Sequence, residues 1–463
     1  RDVERSRGLG DVYKRQGFDD TDPRNAYGPY FQRQRVEIYH TYAKSLVERG
    51  LAYPCFCTEE ELDKVRAKQE EDKVLTGYYG EYATCRNLSY EEIEANIKAG
   101  KPYVLRLRSQ GSPDKEITFV DAIKGEIKLP ENIHDIVLLK KDGIPTYHFA
   151  HAIDDHLMRT TTVVRGGEWL ASAPIHYELF HLLGFKMPAY AHTAHLMKFD
   201  EETGGKRKLS KRKDPELSLD YYRKDGYHPY TMKVYLLTLL NSNFEEWHEK
   251  FPDKDINEFP FSVEKMNQSG ALFDKDKLHN ICKNELSKLS EEELYDFLYD
   301  WAKENEPENV EKWFGDREKM LQILRLYMGV GAKRRRKDLM YAKQIFELIS
   351  YFFDGESAEE MDEFKLDEDM VSKILKSYLA KYDHNDDNSV WFNKLKEIAD
   401  EHGFASDMKA YKANPENFKG NVSDIAEAVR IAVTGRANTP DLWTIVHIMG
   451  EEQMTERIKK HIK

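Results

Sequence analysis

The chain has 463 residues, and its 83 acidic and 70 basic side chains give a formal net charge of −13 at pH 7. The length predicts about two to four domains, and the acidic total argues against a general nucleic-acid coat, because counterion release needs positive charge facing the phosphates. With no apolar run near the ~20 residues that span a bilayer and only four Cys, we expect a cytoplasmic protein without a membrane segment or disulfide scaffold.

The beginning of the chain contains two segments of different character. Residues 1–16 show no periodicity and no apolar face, and we interpret them as a foreign or misassembled leader. From Gly28 the sequence predicts an amphipathic helix that ends at Gly50. Its apolar stripe is predicted to consist of Val36, Tyr39, Ala43, Leu46 and Val47.

A cysteine cluster follows this helix. Cys55 and Cys57 form a Cys-x-Cys pair, and Cys85 comes soon after Tyr78. Three thiolates with a Tyr or a water as fourth ligand can hold a tetrahedral zinc ion. The alternative is three ordinary reduced cysteines without a metal, and the spacing alone does not decide between the two.

Short β patterns come next. Tyr103–Leu107 and Ile136–Leu139 are predicted strands, with turns at Gly125 and at Asp142-Gly143. Two further strands are predicted over Thr146–Ala150 and Thr161–Val164.

A helix is predicted after Trp169, ending at Gly184. Its inward-facing residues are predicted to be Ile175, Leu179, Leu182 and Leu183. A strand-helix-strand order indicates a parallel, doubly wound sheet, in which ligands bind at the carboxyl ends of the strands. Tyr147 and Arg165–Glu168 are expected at that edge.

Two basic clusters stand out in this acidic chain. Gly204–Lys213 contains two glycines, six cations and one hydroxyl, Ser210, which suits a triphosphate or a nucleic-acid backbone. The alternative is a solvated basic face. For Lys333–Lys337, an RNA-contacting patch and the exposed face of a helix are equally consistent with the sequence.

The remainder of the chain is predicted to be helical. Residues 221–241 form one such region, with Tyr235, Leu236 and Leu239 as core. Further amphipathic helices are predicted over Glu291–Ala302, Met320–Val330, Met340–Phe353 and Ile425–Val433. Two helical modules without a run of alternating strands follow from this pattern.

Four segments have the order and spacing of a known family: Pro145–Ala150, Asp154–His156, Thr161–Trp169 and Lys208–Arg212. Together they resemble the second half of the catalytic core of class I aminoacyl-tRNA synthetases, specifically the bacterial-type glutamyl-tRNA synthetase family. The resemblance implies an α/β Rossmann-type core that is incomplete at its N-terminus, an inserted α+β acceptor-binding domain and all-α C-terminal domains.

The resemblance also implies domain boundaries. They are a remnant of the first half of the core over residues 17–52, the inserted acceptor-stem-binding domain over 53–143, the second half of the core over 144–213, a helical stem-contact domain over 214–315 and a helical anticodon-binding domain over 316–463.

The activity implied is ATP-dependent ligation of L-glutamate to tRNA(Glu) through a glutamyl-adenylate, by an expected monomer. Lys208, Ser210 and Lys211 would contact the phosphates of ATP, which carries Mg²⁺, and Glu168 would bind its ribose.

The glutamate would be bound by Arg165, with Tyr147 and His151 beside it; many relatives have Asn at the His151 position. Some family members hold a structural zinc ion at the Cys-x-Cys, and the corresponding ligands here are Cys55, Cys57, Tyr78 and Cys85.

One departure from the family concerns catalysis. Class I synthetases carry a His-x-Gly-His signature near their start, and these 463 residues contain none; neither His192-Thr193-Ala194-His195 nor His447-Ile448-Met449-Gly450 matches it in sequence or position. We therefore expect a truncated chain with little or no activity. The alternatives are a tRNA-binding fragment with a dead catalytic centre, or an enzyme that also charges tRNA(Gln).

Overall fold

A computed structural model describes residues 27–200, 202–210, 212–268, 270–353 and 361–463. The predicted leader at 1–16 and Lys211 lie outside these described residues. Two compact units are present: the first contains the described chain up to Met197 and Leu240–Ala271, and the second contains Lys198–Leu239 and Leu272–Lys463. Within the described ranges, no helix has the length and apolar character needed to cross a membrane.

The helices come in two groups along the chain. Up to residue 250 they are α1 (Val36–Glu48), α2 (Glu59–Glu71), α3 (Tyr90–Lys98), α4 (Tyr147–Leu157), α5 (Ala173–Leu183), α6 (Leu219–Asp225), α7 (Pro229–Leu240) and α8 (Phe244–Lys250). From residue 275 they are α9 (Lys275–Leu286), α10 (Glu291–Asn305), α11 (Val310–Phe314), α12 (Arg317–Met328), α13 (Ala342–Ile349), α14 (Glu368–Lys381), α15 (Asn388–His402), α16 (Met408–Ala413), α17 (Val422–Thr434), α18 (Leu442–Met449) and α19 (Glu451–Lys459).

The strands are short. They are β1 (Ala52–Cys55), β2 (Val104–Leu107), β3 (Glu116–Asp121), β4 (Gly125–Pro130), β5 (Val137–Leu139), β6 (Thr162–Gly166), β7 (Ala189–Thr193), β8 (Leu196–Phe199), β9 (Lys206–Lys208) and β10 (Ala271–Leu272). In the first unit, β1, β2 and β5 form an antiparallel sheet with β2 in the centre, and a second sheet has the order β4-β3-β7-β6.

The predicted strand-helix-strand unit is present as β6, α5 and β7. The two strands pair in parallel, and Arg165 is the register partner of His192. The helix ends at Gly184, whose φ of 72° is the left-handed conformation that glycine adopts without strain. Leu179 is fully buried, as predicted. The parallel pairing brings the last residues of β6 and β7 to one edge of the sheet.

The hairpin of β3 and β4 extends this same sheet. β3 runs parallel to β7, with Asp121 opposite Tyr190, and antiparallel to β4. Helix α5 is bonded to the same part of the sequence, because Glu178 accepts hydrogen bonds from the Ser109 hydroxyl, the Gln110 amide and the Asn132 side chain. Segments between residues 53 and 143 are therefore bonded to both the sheet and α5, and they contribute directly to the edge where Arg165 lies.

The strand predicted over Thr146–Ala150 is wrong. Only Pro145 bridges to Leu139 in extended conformation, and helix α4 begins at Tyr147. Phe149 and Ile153 are fully buried four residues apart, which is a helical spacing. The predicted window was too short to show this period, because it ended one residue after Phe149.

The first helix also departs from its prediction at one position. Tyr39, Ala43 and Leu46 are buried in α1, but Val47 is 44% exposed. Val47 follows Leu46 directly, so the helical rotation of about 100° per residue turns it away from the core.

The second unit has a helical core, as expected. Buried side chains from α10, α12, α13, α14, α15, α17, α18 and α19 pack into one hydrophobic cluster. The predicted helix over 221–241 is divided into α6 and α7 by Gly226, which has a φ of 79°. The interpretation of Lys333–Lys337 as the face of a helix is wrong, because these residues lie on the loop after α12.

Leu324 tests the packing of this core. It is fully buried in α12, whereas Leu219 in α6 is 70% exposed. Leu324→Ala should lower the local unfolding free energy by about 2–5 kcal/mol, because it leaves a cavity. Hydrogen exchange of the α12 amides measures this change. The control Leu219→Ala should shift it by less than about 0.5 kcal/mol, and equal effects of the two substitutions would contradict the described packing.

Candidate active site

A cluster of aromatic and basic side chains lies at the carboxyl ends of β6 and β7. Tyr147, the first residue of α4, is 42% exposed. Its ring lies 4.6 Å from that of Trp169, which belongs to a 3₁₀-helix directly after β6. Arg165 lies near the end of β6. The structure thus brings together Tyr147 and Arg165, which the resemblance assigned to one substrate.

Four partners, one of them the Tyr147 hydroxyl, hydrogen-bond the Arg165 guanidinium. Its Nε donates to Nε2 of His192 at 2.9 Å, its Nη1 donates to Nδ1 of His176 at 3.1 Å, and its Nη2 donates to the Trp169 carbonyl at 3.4 Å. The guanidinium carbon also lies 4.7 Å from the centre of the Tyr190 ring, a cation–π distance. The hydrogen bonds therefore fix the orientation of the guanidinium, and the Tyr190 ring packs against one of its faces.

These bonds determine the tautomers of both histidines. Because a guanidinium only donates, Nε2 of His192 and Nδ1 of His176 must be unprotonated. The other nitrogens carry the protons: Nδ1 of His192 donates to Asp121 at 2.6 Å, and Nε2 of His176 donates to Nδ1 of His148 at 2.9 Å. Both rings bonded to Arg165 are therefore neutral imidazoles.

Burial supports the neutral forms. Burial and the nearby His151 and Arg165 lower the pKa of His148 to about 4. The same causes hold the pKa of His176 far below its usual range. Burial also lowers the pKa of His192, although the hydrogen bond to Asp121 opposes the shift. Near neutral pH these three rings carry no charge that would repel Arg165.

Among the described residues, Arg165 has no acidic partner in direct contact. No carboxylate of that part of the chain forms an ion pair with it, and its hydrogen bonds go to two imidazoles, a carbonyl and the Tyr147 hydroxyl. Asp121 accepts a hydrogen bond from His192, which in turn accepts one from Arg165. The His192 ring therefore separates this carboxylate from the guanidinium. A partly buried cation in this setting attracts an anionic ligand group.

His151 contacts protein groups through both ring nitrogens. Its Nε2 lies 2.7 Å from the Tyr190 hydroxyl, and its Nδ1 lies 2.9 Å from a carboxylate oxygen of Asp155. The ring is stacked on Tyr147 at 5.6 Å. His151 is therefore held by Tyr190 and Asp155, and its ring packs against that of Tyr147.

Glu168 and Gly167 follow Arg165 at the end of β6. Glu168 lies 3.3 Å from Nδ1 of His195 and is about half exposed. A Cβ at Gly167 would lie 3.2 Å from the Thr193 carbonyl, tighter than an ordinary contact. A side chain at this position would therefore require a small shift of its surroundings.

The Lys-rich segment belongs to the second unit and is organised by Asp214. Arg207 binds this buried carboxylate through both terminal nitrogens at 2.7 Å, and the Ser210 amide donates to it at 2.7 Å. Leu209 is buried, and Lys208 ends β9 with an exposed side chain. Arg207 therefore has a structural role, and the predicted contact residues Lys208 and Ser210 flank the anchored Leu209.

The cysteine cluster is assembled as predicted. The Sγ atoms of Cys55, Cys57 and Cys85 lie within 4.8 Å of one another, and the Tyr78 hydroxyl lies 3.4 Å from Cys55 and 3.3 Å from Cys57. Thiolates bound to one zinc ion at 2.3 Å are about 3.8 Å apart, so the cluster has suitable dimensions. All three thiols are free, without a disulfide, and hydrogen bonds from Cys57 and Cys85 lower the pKa of Cys55.

Sequence reasoning missed three residues of the cluster around Arg165: Asp121, His176 and His192. His176 lies three and four residues before Leu179 and Phe180, so it occupies the buried face of α5. A polar residue on an apolar stripe was a usable signal. His192 was considered only as part of a rejected signature, and no local pattern distinguishes Asp121.

Comparison with known proteins identifies both parts of the chain. The profile described as "tRNA synthetases class I (E and Q), catalytic domain" matches residues 14–280, and the profile described as "Anticodon binding domain" matches residues 293–462.

Among curated relatives, the glutamate--tRNA ligase of Acetivibrio thermocellus is 53% identical over 94% of this chain and 79% of its own length. That of Clostridium perfringens strain SM101 is 46% identical over 95% of this chain and 80% of its own length.

A solved structure of a glutamate tRNA ligase from Elizabethkingia meningosepticum, in complex with its amino acid, is similar with a TM-score of 0.72 and 25% identity. The match covers 98% of this chain and 88% of that one. These matches confirm the resemblance and the fold class inferred from it. The chain therefore belongs to the glutamate--tRNA ligases of the class I aminoacyl-tRNA synthetases.

Proposed function

We propose that this chain binds the side-chain carboxylate of L-glutamate through Arg165. The observation that carries the proposal is a guanidinium oriented by neutral imidazoles and not paired with an acid among the described residues. Such a cation can bind a carboxylate by donating two parallel hydrogen bonds to it. Tyr147 supplies a neighbouring hydroxyl, and the stacked His151 sets the position of the Tyr147 ring.

The reaction that we propose begins with the α-carboxylate of the bound glutamate. A carboxylate oxygen attacks the α-phosphorus of ATP, the bond to the β-phosphate oxygen breaks, and pyrophosphate leaves with the bonding electrons. A ribose hydroxyl of tRNA(Glu) then attacks the adenylate carbonyl, loses its proton and releases AMP. The protein forms no covalent bond in either step, so its task is to position the anions and neutralise their charge.

We assign the ATP contacts to two groups of residues. Lys208, Ser210 and Lys211 bind the phosphates, supported by the cationic composition of the segment and the exposed position of Lys208. Glu168 binds the ribose hydroxyls, supported by its half-exposed carboxylate after β6. Mg²⁺ on ATP supplies further charge neutralisation.

We propose tRNA(Glu) as the partner of three regions of the chain. The helical region over 316–463 binds the anticodon of tRNA(Glu), residues 214–315 contact its stem, and the module over 53–143 holds the acceptor end. The assignment is supported by the match of residues 293–462 to an anticodon-binding profile. The chain would act in the cytoplasm as a monomer.

A second candidate function is binding of tRNA without adenylate formation. It is supported by the match of residues 293–462 to an anticodon-binding profile.

Pyrophosphate exchange with glutamate in the presence of tRNA(Glu), combined with an electrophoretic shift of this tRNA, separates these functions. Exchange together with the shift would support ligation, and the shift without exchange would support the second function. Absence of the tRNA shift would contradict both.

Substitution of Arg165 tests the glutamate site without requiring catalysis. Arg165→Leu should weaken glutamate binding, measured by calorimetry, by about 3 kcal/mol or roughly 150-fold, because the carboxylate loses its charged partner. The affinity of Arg165→Lys should lie between those of the wild type and Arg165→Leu, since an ammonium keeps the charge but cannot form the two-bond fork. The control Arg66→Leu removes an exposed cation from α2 and should leave the affinity unchanged. Wild-type affinity in Arg165→Leu would exclude the proposed role.

Zinc content tests the cysteine cluster. We propose that Cys55, Cys57, Cys85 and Tyr78 hold one structural zinc ion. Chain purified with zinc and then dialysed should retain about one equivalent by elemental analysis, and Cys57→Ser should lose most of it. Cys282→Ser removes the buried cysteine outside the cluster and should retain the metal. Equal zinc in both variants, or none in the wild type, would refute the site.

The neutral histidines predict a pH dependence of stability. The unfolded chain binds protons on histidine near pH 6.5, whereas the folded chain protonates His148 only near pH 4. Between these values the unfolded state holds more protons, so stability falls as the pH is lowered. Hydrogen exchange in α5, corrected for intrinsic rates, should show lower protection at pH 5 than at pH 7. His148→Asn should reduce the difference, and a difference unchanged by it would contradict this assignment.

A further inference from the structure

We propose that Asp121, His192 and His176 are positioning residues that hold Arg165 for selective recognition of a carboxylate over an amide. The inference rests on the proposed binding of glutamate by Arg165. Two hydrogen-bonded arms reach the guanidinium from different elements of the first unit. One arm runs from Asp121 through His192 to Nε, and the other runs from His148 through His176 to Nη1.

The first arm is anchored at a fully buried carboxylate. Asp121 accepts from the amides of Ile123 and Lys124 at 2.9 Å through one oxygen. Its other oxygen accepts from the His192 amide at 3.0 Å and from His192 Nδ1 at 2.6 Å. Four donors fix the carboxylate, and the carboxylate fixes both the tautomer and the rotation of the His192 ring. The Nε2 lone pair is thereby aimed at Arg165.

The second arm sets the other side of the guanidinium. His176 projects from α5, a different element from the strand that carries His192. Its Nδ1 must accept, because Arg165 can only donate, and its Nε2–H donates a hydrogen bond to Nδ1 of His148. Since the two arms attach at different nitrogens, they determine the rotation of the guanidinium within its plane.

The arms also determine which nitrogens remain for a ligand. The bonds to His192, His176 and the Trp169 carbonyl use three of the five N–H groups, and the Tyr147 hydroxyl also hydrogen-bonds Arg165. Because the one hydrogen on Nε is donated to His192, any N–H group that is left for a ligand belongs to Nη1 or Nη2. A substrate carboxylate would therefore be bound at the terminal nitrogens and not along the Nε side.

Neutral acceptors have an advantage over acidic ones in this position. A carboxylate in contact with Arg165 would orient it equally well but would compensate its charge. An imidazole orients the cation and leaves the charge for the ligand, while Asp121 is kept one ring further away. Because a glutamine amide carries no charge, an uncompensated cation discriminates against it.

Paired substitutions separate hydrogen bonding from packing. His192→Gln keeps an acceptor close to the position of Nε2, and His176→Asn keeps one close to the position of Nδ1. His192→Leu and His176→Leu fill similar volumes without an acceptor. Calorimetry with L-glutamate and with L-glutamine gives the affinity and the selectivity of each variant, and the thermal unfolding midpoint reports its folding.

We expect each Leu variant to bind glutamate about tenfold more weakly than its amide counterpart, which should stay within about threefold of the wild type. The preference for glutamate over glutamine should fall in the Leu variants. Equal affinities and preferences within each Leu/amide pair would overturn the proposal. If the affinities are equal within each pair but Arg165→Leu loses glutamate binding, the proposed glutamate site is still supported. Wild-type binding in Arg165→Leu would instead refute the proposed function itself.

A second measurement covers Leu variants that unfold. The ¹⁵N spectrum of histidine-labelled wild-type chain should show His192 protonated at Nδ1 only and His176 protonated at Nε2 only. Asp121→Asn should alter the His192 signals and leave those of His176 in place. An imidazolium, or the opposite tautomer, at either position in the wild type would overturn the proposal.

Discussion

A guanidinium can donate hydrogen bonds but cannot accept them, and this constraint organises the cluster of side chains around Arg165. Each group that orients Arg165 must be an acceptor, so the two imidazoles beside it are restricted to one tautomer each. Their remaining protons then need acceptors of their own, which Asp121 and His148 provide. The chemistry of one side chain thus specifies the protonation of its neighbours, and burial makes the neutral state the stable one.

The fold supplies these groups from distant parts of the sequence. Parallel pairing of β6 and β7 places Arg165 opposite His192, and α5, which connects the two strands, supplies His176. Asp121 comes from β3, which lies within the module expected to bind the acceptor stem and which pairs with β7. Part of this module therefore belongs to the sheet that carries Arg165 and His192, so a substitution in β3 is expected to alter the position of Arg165.

Sequence reasoning identified the elements with a clear period and the residues within a family motif. The helix ending at Gly184, the strand around Val163 and the helical C-terminal half needed only local patterns. The strand predicted over Thr146–Ala150 was wrong because the extended conformation ends at Thr146. The helical period becomes visible only over a longer window. His192 and Asp121 could not be derived, because their importance lies in contacts across strands. The basic cluster at Lys333–Lys337 shows that charge alone does not reveal secondary structure.

The central claim is that Arg165 presents its terminal nitrogens, oriented by neutral histidines, to the side-chain carboxylate of glutamate. A crystal structure of the chain with L-glutamate tests it most directly. The account predicts both side-chain oxygens within hydrogen-bond distance of Nη1 and Nη2, with the bonds from Nε to His192 and from Nη1 to His176 retained. Glutamate bound away from Arg165, or an Arg165 that leaves His192 to pair with a protein carboxylate, would contradict it.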